Sequence, residues 1–212
     1  TSWTTAAFLT LKAWGIGPGD EVIVPAMTFI ATSNVILHCG ARPVFVDVES
    51  ITGNIDVQKV KAKITDRTKV IIPVHLYGQM ADMESLRHIA DHRGIKILED
   101  AAHCIEGKRN NYKPSQFGDA ACFSFYATKN ITCGEGGAVV TNDNALAEQL
   151  TLLRLHGMSK SAADRHVGEY KHWDMVCLGY KANMSDIQAS LLINQIKNIE
   201  TNREIREEIS RK

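Results

Sequence analysis

The chain has 212 residues, 44% hydrophobic and 23% charged, with 24 basic and 24 acidic side chains for a net charge of zero. That length can bury one sizeable core, and the balanced charge gives no electrostatic basis for nucleic acid or an anionic membrane as the main partner. No apolar run reaches spanning length, and no signal-peptide pattern opens the chain. The five cysteines are widely spaced and contain no Cys-x-x-Cys pair, so neither a disulfide framework nor a zinc site is expected, and a reducing cytoplasm is.

Thr1-Ser2-Trp3-Thr4-Thr5 is hydroxyl-rich and opens onto helical sequence from Thr5 to Trp14. Hydroxyls there can cap the helix, and its N-terminus can also cradle a phosphate; the two roles are compatible. Gly15-Ile16-Gly17-Pro18-Gly19-Asp20 is a turn; it precedes a strand instead of following one, so it is not a dinucleotide fingerprint. Strands are expected at Glu21 to Val24, Arg42 to Val48, Lys69 to Val74, Ile95 to Leu98, Ala120 to Phe125 and Gly137 to Thr141. Helices are expected at Ala31 to Cys39, Val57 to Ile64, Asp82 to His92 and Asn144 to Arg154. The alternation predicts an α/β protein with a mainly parallel sheet, in which ligands bind beyond the carboxyl ends of the strands. His156 to Lys181 is polar and irregular and reads as a functional loop or an interdomain link.

Ser185 with Gln188 forms a capping-box pattern, and Ile187, Leu191, Ile196 and Ile199 recur near helical period. With no glycine or proline to stop it, one long helix is expected to run on to Lys212. Opening without methionine and closing inside a helix, the chain reads as part of a longer protein. The expected division is a cofactor-binding domain over 1–183 and a helix over 184–212 leading to a truncated C-terminal domain.

The chemistry concentrates around Lys129. It lies in Ser124-Phe125-Tyr126-Ala127-Thr128-Lys129-Asn130, just before Gly134-Glu135-Gly136-Gly137. A lone lysine beside a glycine turn is ordinarily solvated, but the apolar, aromatic run before this one places it at the end of a buried strand. Loss of solvation lowers a lysine's pKa and makes its amine a usable nucleophile. Upstream, Ile95-Lys96-Ile97-Leu98 ends in Glu99-Asp100 and then Ala101-Ala102-His103. Asp100 alone would read as a helix cap. Beside a nucleophilic lysine it reads as the carboxylate that keeps a pyridine nitrogen protonated, which is what pyridoxal phosphate requires to act as an electron sink. His103 is either a core histidine or a contact to the ring, and Phe29 either a core aromatic or a ring stacked on the cofactor. His88 and His92 are four apart on a helix, but without a glutamate after the first or a third ligand they read as a solvated face.

With these residues assembled, the chain resembles the DegT/StrS family of pyridoxal-phosphate sugar aminotransferases, of fold type I. The resemblance runs from Thr1 to about Gln195 and rests on GIGPGDEVIVP (Gly15 to Pro25), PVHLYGQ (Pro73 to Gln79), EDAAH (Glu99 to His103), SFYATKN (Ser124 to Asn130), GEGG (Gly134 to Gly137) and MSDIQA (Met184 to Ala189). It implies a three-layer large domain with Lys129 as the cofactor-bearing lysine and Asp100 at the pyridine nitrogen. His103 and Phe29 would lie at the ring, and Thr4, Thr5 and Ser124 at the phosphate. It implies a homodimer with shared sites, in which Gly179-Tyr180-Lys181-Ala182-Asn183 occupies the place of a motif lent to the partner, with Lys181 or Asn183 reaching the phosphate. The implied reaction moves an amino group from a donor such as glutamate to a nucleotide-linked keto-sugar, and KNITCGEGG (Lys129 to Gly137) is most similar to members that aminate C4. Two rival readings stand beside it: a sugar dehydratase, whose members carry histidine where this chain has Lys129, and a non-catalytic relative that binds cofactor or sugar.

Overall fold

A computed structural model describes residues 1–159 and 172–212. Six strands form one sheet: β1 (Glu21–Pro25), β2 (Arg42–Val46), β3 (Thr68–Ile71), β4 (Lys96–Asp100), β5 (Ala120–Ser124) and β6 (Gly137–Val140). Their spatial order is β2-β1-β3-β4-β5-β6, all parallel except β6, which pairs antiparallel with β5. The helices are α1 (Trp3–Ala13), α2 (Ala31–His38), α3 (Val57–Lys63), α4 (Met83–Asp91), α5 (Asn144–Leu153), α6 (Asp186–Lys197) and α7 (Ile199–Ser210).

Side chains alternate across a strand, so each buried strand feeds two cores. Val22, Val24, Leu98, Ala120 and Cys122 pack with α1, α2 and α5 on one face. Ile23, Ile97, Ala121 and Phe123 pack with α3 and α4 on the other. The result is three layers, as the resemblance implied. The same parity sends Asp100 to the face of Leu98 and Glu99 to the face of Ile97.

Strand ends are shorter than the apolar runs. β3 stops at Ile71, ahead of Pro73, which has no N–H to give a ladder. β2 stops at Val46, after which Val48 makes an isolated antiparallel bridge to Ile55. At the other end of the chain the expected single long helix is two. α6 ends at Asn198, whose backbone (φ −102, ψ 12) leaves the helical basin while its side-chain Nδ2 donates to the Asn194 carbonyl at 2.9 Å. α6 begins with the anticipated capping box of Ser185 and Gln188. Leu192 anchors α6 in the second core, whereas α7 buries no residue.

The close approach of α1 to β6 decides one glycine. A Cβ on Gly137 would lie 2.3 Å from the Ser2 carbonyl carbon and 2.7 Å from the Trp3 nitrogen, both backbone atoms that cannot swing aside. Gly137→Ala is therefore expected to push the first turn of α1 off the sheet and to cost about 1–3 kcal/mol, as overpacking does. Chemical denaturation of the two proteins measures it; equal midpoints would show that the helix yields freely.

Candidate active site

The sheet order reverses direction between β1 and β3, and in open α/β sheets that switch point leaves a crevice outside the carboxyl ends of the strands. A cavity of about 450 Å³ lies there. β1 is followed by Thr28 and Phe29, β4 ends in Asp100 and is followed by His103, and β5 ends in Ser124 and is followed by Lys129; all six line the cavity. Ser2, Trp3 and Thr4, at the start of α1, line it as well.

Asp100 is 5% exposed and is held from two sides. The Ala102 N–H donates to Oδ1 at 3.1 Å, and the Thr32 hydroxyl donates to Oδ2 at 3.0 Å. Burial outweighs these bonds and the neighbouring Lys129, and raises the Asp100 carboxyl from 3.8 to about 6. Lys129 is partly buried, and desolvation lowers its pKa against the opposing pull of Asp100. His103 is lowered too, first by burial and then by Lys129. Its ring stacks on Tyr77, with centroids 5.8 Å apart and planes 3° from parallel. Tyr77 holds a left-handed backbone (φ 52) uncommon for a residue with a Cβ.

Behind Asp100, on the opposite face of β4, Glu99 and His75 are fully buried and 2.8 Å apart. The Ala81 N–H donates to His75 Nδ1, so Nε2 carries the proton and donates to Glu99 Oε2. Glu99 Oε1 accepts from the N–H groups of Ser115 and Gly118. The pair pins the loop between β4 and β5 to the strand that carries Asp100.

At the α1 end the cap is Ser2, whose Oγ accepts from the Thr5 N–H at 3.1 Å. Helix therefore begins two residues earlier than expected from Thr5. The N–H groups of Trp3 and Thr4 are the ones without an intrahelical acceptor. Thr4 faces the cavity. Thr5 does not: its hydroxyl bonds to Thr1 and Ser2, and it lines a separate cavity with Arg154. Ser124 pairs across the β5–β6 ladder with Gly137, which packs on Ser2 and Trp3, so Ser124 is brought beside the helix start. Phe29 is 75% exposed and so is not a core aromatic. Asn183 lies outside the cavity, and its Oδ1 is buried without a hydrogen-bond partner among the described residues. Lys181 is exposed, with its backbone bridged to Leu155. Of the expected polar loop from His156 to Lys181, residues 160–171 lie outside the described ones.

Two lining threonines, Thr28 and Thr32, were not singled out from the sequence. The signal available was their spacing of four, one helical turn, just before a strand-following helix. Glu135, from the glycine-rich turn, also reaches the cavity wall.

The model of the DegT/DnrJ/EryC1/StrS aminotransferase family matches residues 1–212. The chain belongs to this family. It is 46% identical over 210 residues to the spore coat polysaccharide biosynthesis protein SpsC of Bacillus subtilis, covering 99% of this chain and 54% of that protein. It is 42% identical over 206 residues to GDP-perosamine synthase of Caulobacter vibrioides, covering 97% of this chain and 53% of that one. A proposed sugar aminotransferase of Streptococcus pneumoniae, solved in its PMP form, superposes with a TM-score of 0.90 at 35% identity, over 99% of this chain and 58% of that chain; its PLP form is solved as well. The chain thus spans about half the length of the curated relatives it matches.

The carboxyl of Asp100 makes its own stability prediction. Because the folded pKa lies above the unfolded one, the native state holds this proton more tightly. Its contribution is full below pH 3.8 and is lost as pH rises through about 6. The interval from 3.8 to about 6 corresponds to about 3 kcal/mol. Unfolding of the apoprotein, followed from pH 4 to 7 against Asp100→Asn, is expected to show a loss of that order in the parent that the variant lacks. Parallel curves would place the carboxyl near its ordinary value.

Proposed function

We propose that this chain carries the cofactor-binding and catalytic part of a sugar aminotransferase that uses an amino acid, with glutamate as donor, to aminate a keto-sugar linked to a nucleotide. The observation that supports this best is the convergence of Lys129 and Asp100, from the ends of adjacent parallel strands, on one cavity with a helix N-terminus and Ser124 in its wall. Pyridoxal phosphate is the cofactor the family indicates. The residues fit it: a cavity of about 450 Å³ presents a carboxylate with spare lone pairs, a partly buried amine, and amide and hydroxyl donors for a phosphate.

When bound, pyridoxal phosphate supplies a protonated ring that accepts electron density from the amino-acid carbon. The rest falls to the chain. Asp100 would hold the ring-nitrogen proton by its charge, at an energy favoured by burial because little water screens it. Lys129 would bear the cofactor and then, as a free amine of lowered pKa, take and return the proton at the donor's α-carbon. Thr4, the Trp3 and Thr4 N–H groups and the Ser124 hydroxyl would orient the phosphate at the positive end of α1. Phe29 and His103 would bracket the ring.

The proposed assembly is a homodimer in the cytoplasm, with Asn183 or Lys181 reaching the partner's phosphate. Exposed apolar side chains near the cavity mouth and the Gly179 segment support it: Phe29 75%, Ile30 62%, Val176 57% and Leu178 80% exposed. A mixture of Lys129→Ala and a variant altered at Lys181 and Asn183 is expected to recover activity that neither parent has. An active monomer in sedimentation at assay concentration would refute shared sites.

The function is tested with the full-length enzyme and a screen of nucleotide keto-sugars. Glutamate alone is expected to change the cofactor's visible absorbance, and product mass should show nitrogen gained. Loss of a hydroxyl without nitrogen would establish dehydratase chemistry, and cofactor binding with no response to glutamate or sugar would mark a non-catalytic relative.

A further inference from the structure

The two oxygens of Asp100 are held very differently. The bond from Ala102 to Oδ1 is local, two residues along the chain. The bond from Thr32 to Oδ2 joins residues 68 apart in sequence and comes from another element, the first turn of α2. Thr32 is fully buried. Its single hydroxyl proton is committed to the carboxylate, so its oxygen can only accept from Thr28, 2.8 Å away. A directed chain results, from Thr28 at the cavity wall through Thr32 to Asp100.

This is not the usual fate of a threonine in a helix. Such hydroxyls commonly bond back to the carbonyl one turn earlier. Thr10 does so to Ala6 at 2.9 Å, and Thr151 to Ala147 at 2.9 Å. Thr32 turns its hydroxyl across the sheet face to the carboxylate, and Thr28 supplies the hydrogen bond that its oxygen accepts.

We propose that Thr32 is a positioning residue for Asp100: its hydroxyl, held by Thr28, fixes the orientation of the carboxylate in the cavity floor and provides one of the two hydrogen bonds that the anion receives. The functional consequence rests on the proposed role of Asp100 at the cofactor ring nitrogen. Removing one of two donors from a buried anion leaves a lone pair unsatisfied, and the group answers by binding its proton more tightly. The charged and titratable groups around Asp100 come from every neighbouring element. They are Lys129 after β5, His103 after β4, His75 after β3, Cys122 on β5 and Glu135 before β6. Lys129 favours the anion through space, and neither it nor His75 donates a hydrogen bond to Asp100 among the described residues. Neither therefore replaces the directional role of Thr32.

The test uses Thr32→Val, which keeps the shape and removes the hydroxyl, Thr32→Ser, which keeps the hydroxyl, and Thr28→Val. The Asp100 carboxyl is titrated by carbon NMR in the cofactor-free protein, with its signal identified by loss in Asp100→Asn. The pH profile of kcat is measured in the holoenzyme. Thr32→Val is expected to raise the titration midpoint, to move the acid limb of kcat in the same direction, and to lower kcat roughly tenfold at neutral pH with KM little changed. Thr32→Ser should restore all three, and Thr28→Val should move the midpoint in the same direction by less. An unchanged midpoint in Thr32→Val, or a serine variant that behaves like valine, would overturn the proposal and leave Thr32 as packing. A moved midpoint with an unmoved acid limb and an unchanged kcat would uphold Thr32 as positioning Asp100 and would instead refute the role of Asp100 at the ring nitrogen. Thermal unfolding accompanies each variant, and the serine variant keeps the comparison valid if valine perturbs folding.

Discussion

Lys129→Ala is expected to abolish transamination while the protein still folds. The side chain is only partly buried, and none of its contacts is needed by either core, so its loss opens no cavity among packed residues. Functionally it has no substitute: it is the only lysine lining the cavity among the described residues. Loss of the proton-transfer group alone costs about 10²–10⁴-fold, and loss of the covalent attachment adds to that. Borohydride reduction of the cofactor-loaded enzyme followed by peptide mapping should place the label on Lys129. A label on another lysine, or residual turnover within tenfold of the parent, would remove Lys129 from the reaction.

Asp100→Asn is expected to separate activity from stability. The amide keeps the shape: its oxygen can still accept from the Ala102 N–H while its NH2 donates to the Thr32 hydroxyl, but it carries no charge to hold a ring proton. Turnover should fall about 10²–10³-fold, the scale of removing one well-placed electrostatic contact. The same substitution deletes the burial cost of the anion, so the cofactor-free protein should become more stable at neutral pH. The paired outcome is informative because a structural cap would give the opposite pattern, with turnover near normal and stability reduced. Activity and denaturation measured on one preparation decide between them.

The core of the site was legible because its chemistry is carried by residue types in short contiguous runs. Asp100 and Lys129 each end or follow an apolar strand, and strand ends are where a parallel sheet gathers its ligands. What escaped detection depends on contacts between distant segments. Thr32 looks like any helix threonine until β4 is placed beside it, 68 residues later. The start of α1 offered four hydroxyls in five residues, and only the fold shows that Ser2 is the cap. That choice turns Thr4 to the cavity and Thr5 away from it. The break at Asn198 was invisible for a related reason. Asparagine is no helix stop by composition, yet its side chain competes for the backbone of the preceding turn.

The packing of α1 against β6 also has a consequence for the history of each molecule. The helix that would hold the phosphate precedes all six strands of the sheet in the chain, and the strand it rests on is the last of the six. About 120 residues separate them, which at a synthesis rate of about 5–20 residues per second is a delay of roughly 6–25 s. Through that interval the apolar face of α1, with Leu9 and Leu11, has no β5 or β6 to cover it. Contacts of such long sequence separation form late and slowly. Ligand capture by the nascent chain would thus mark the pairing of β5 and β6 under α1.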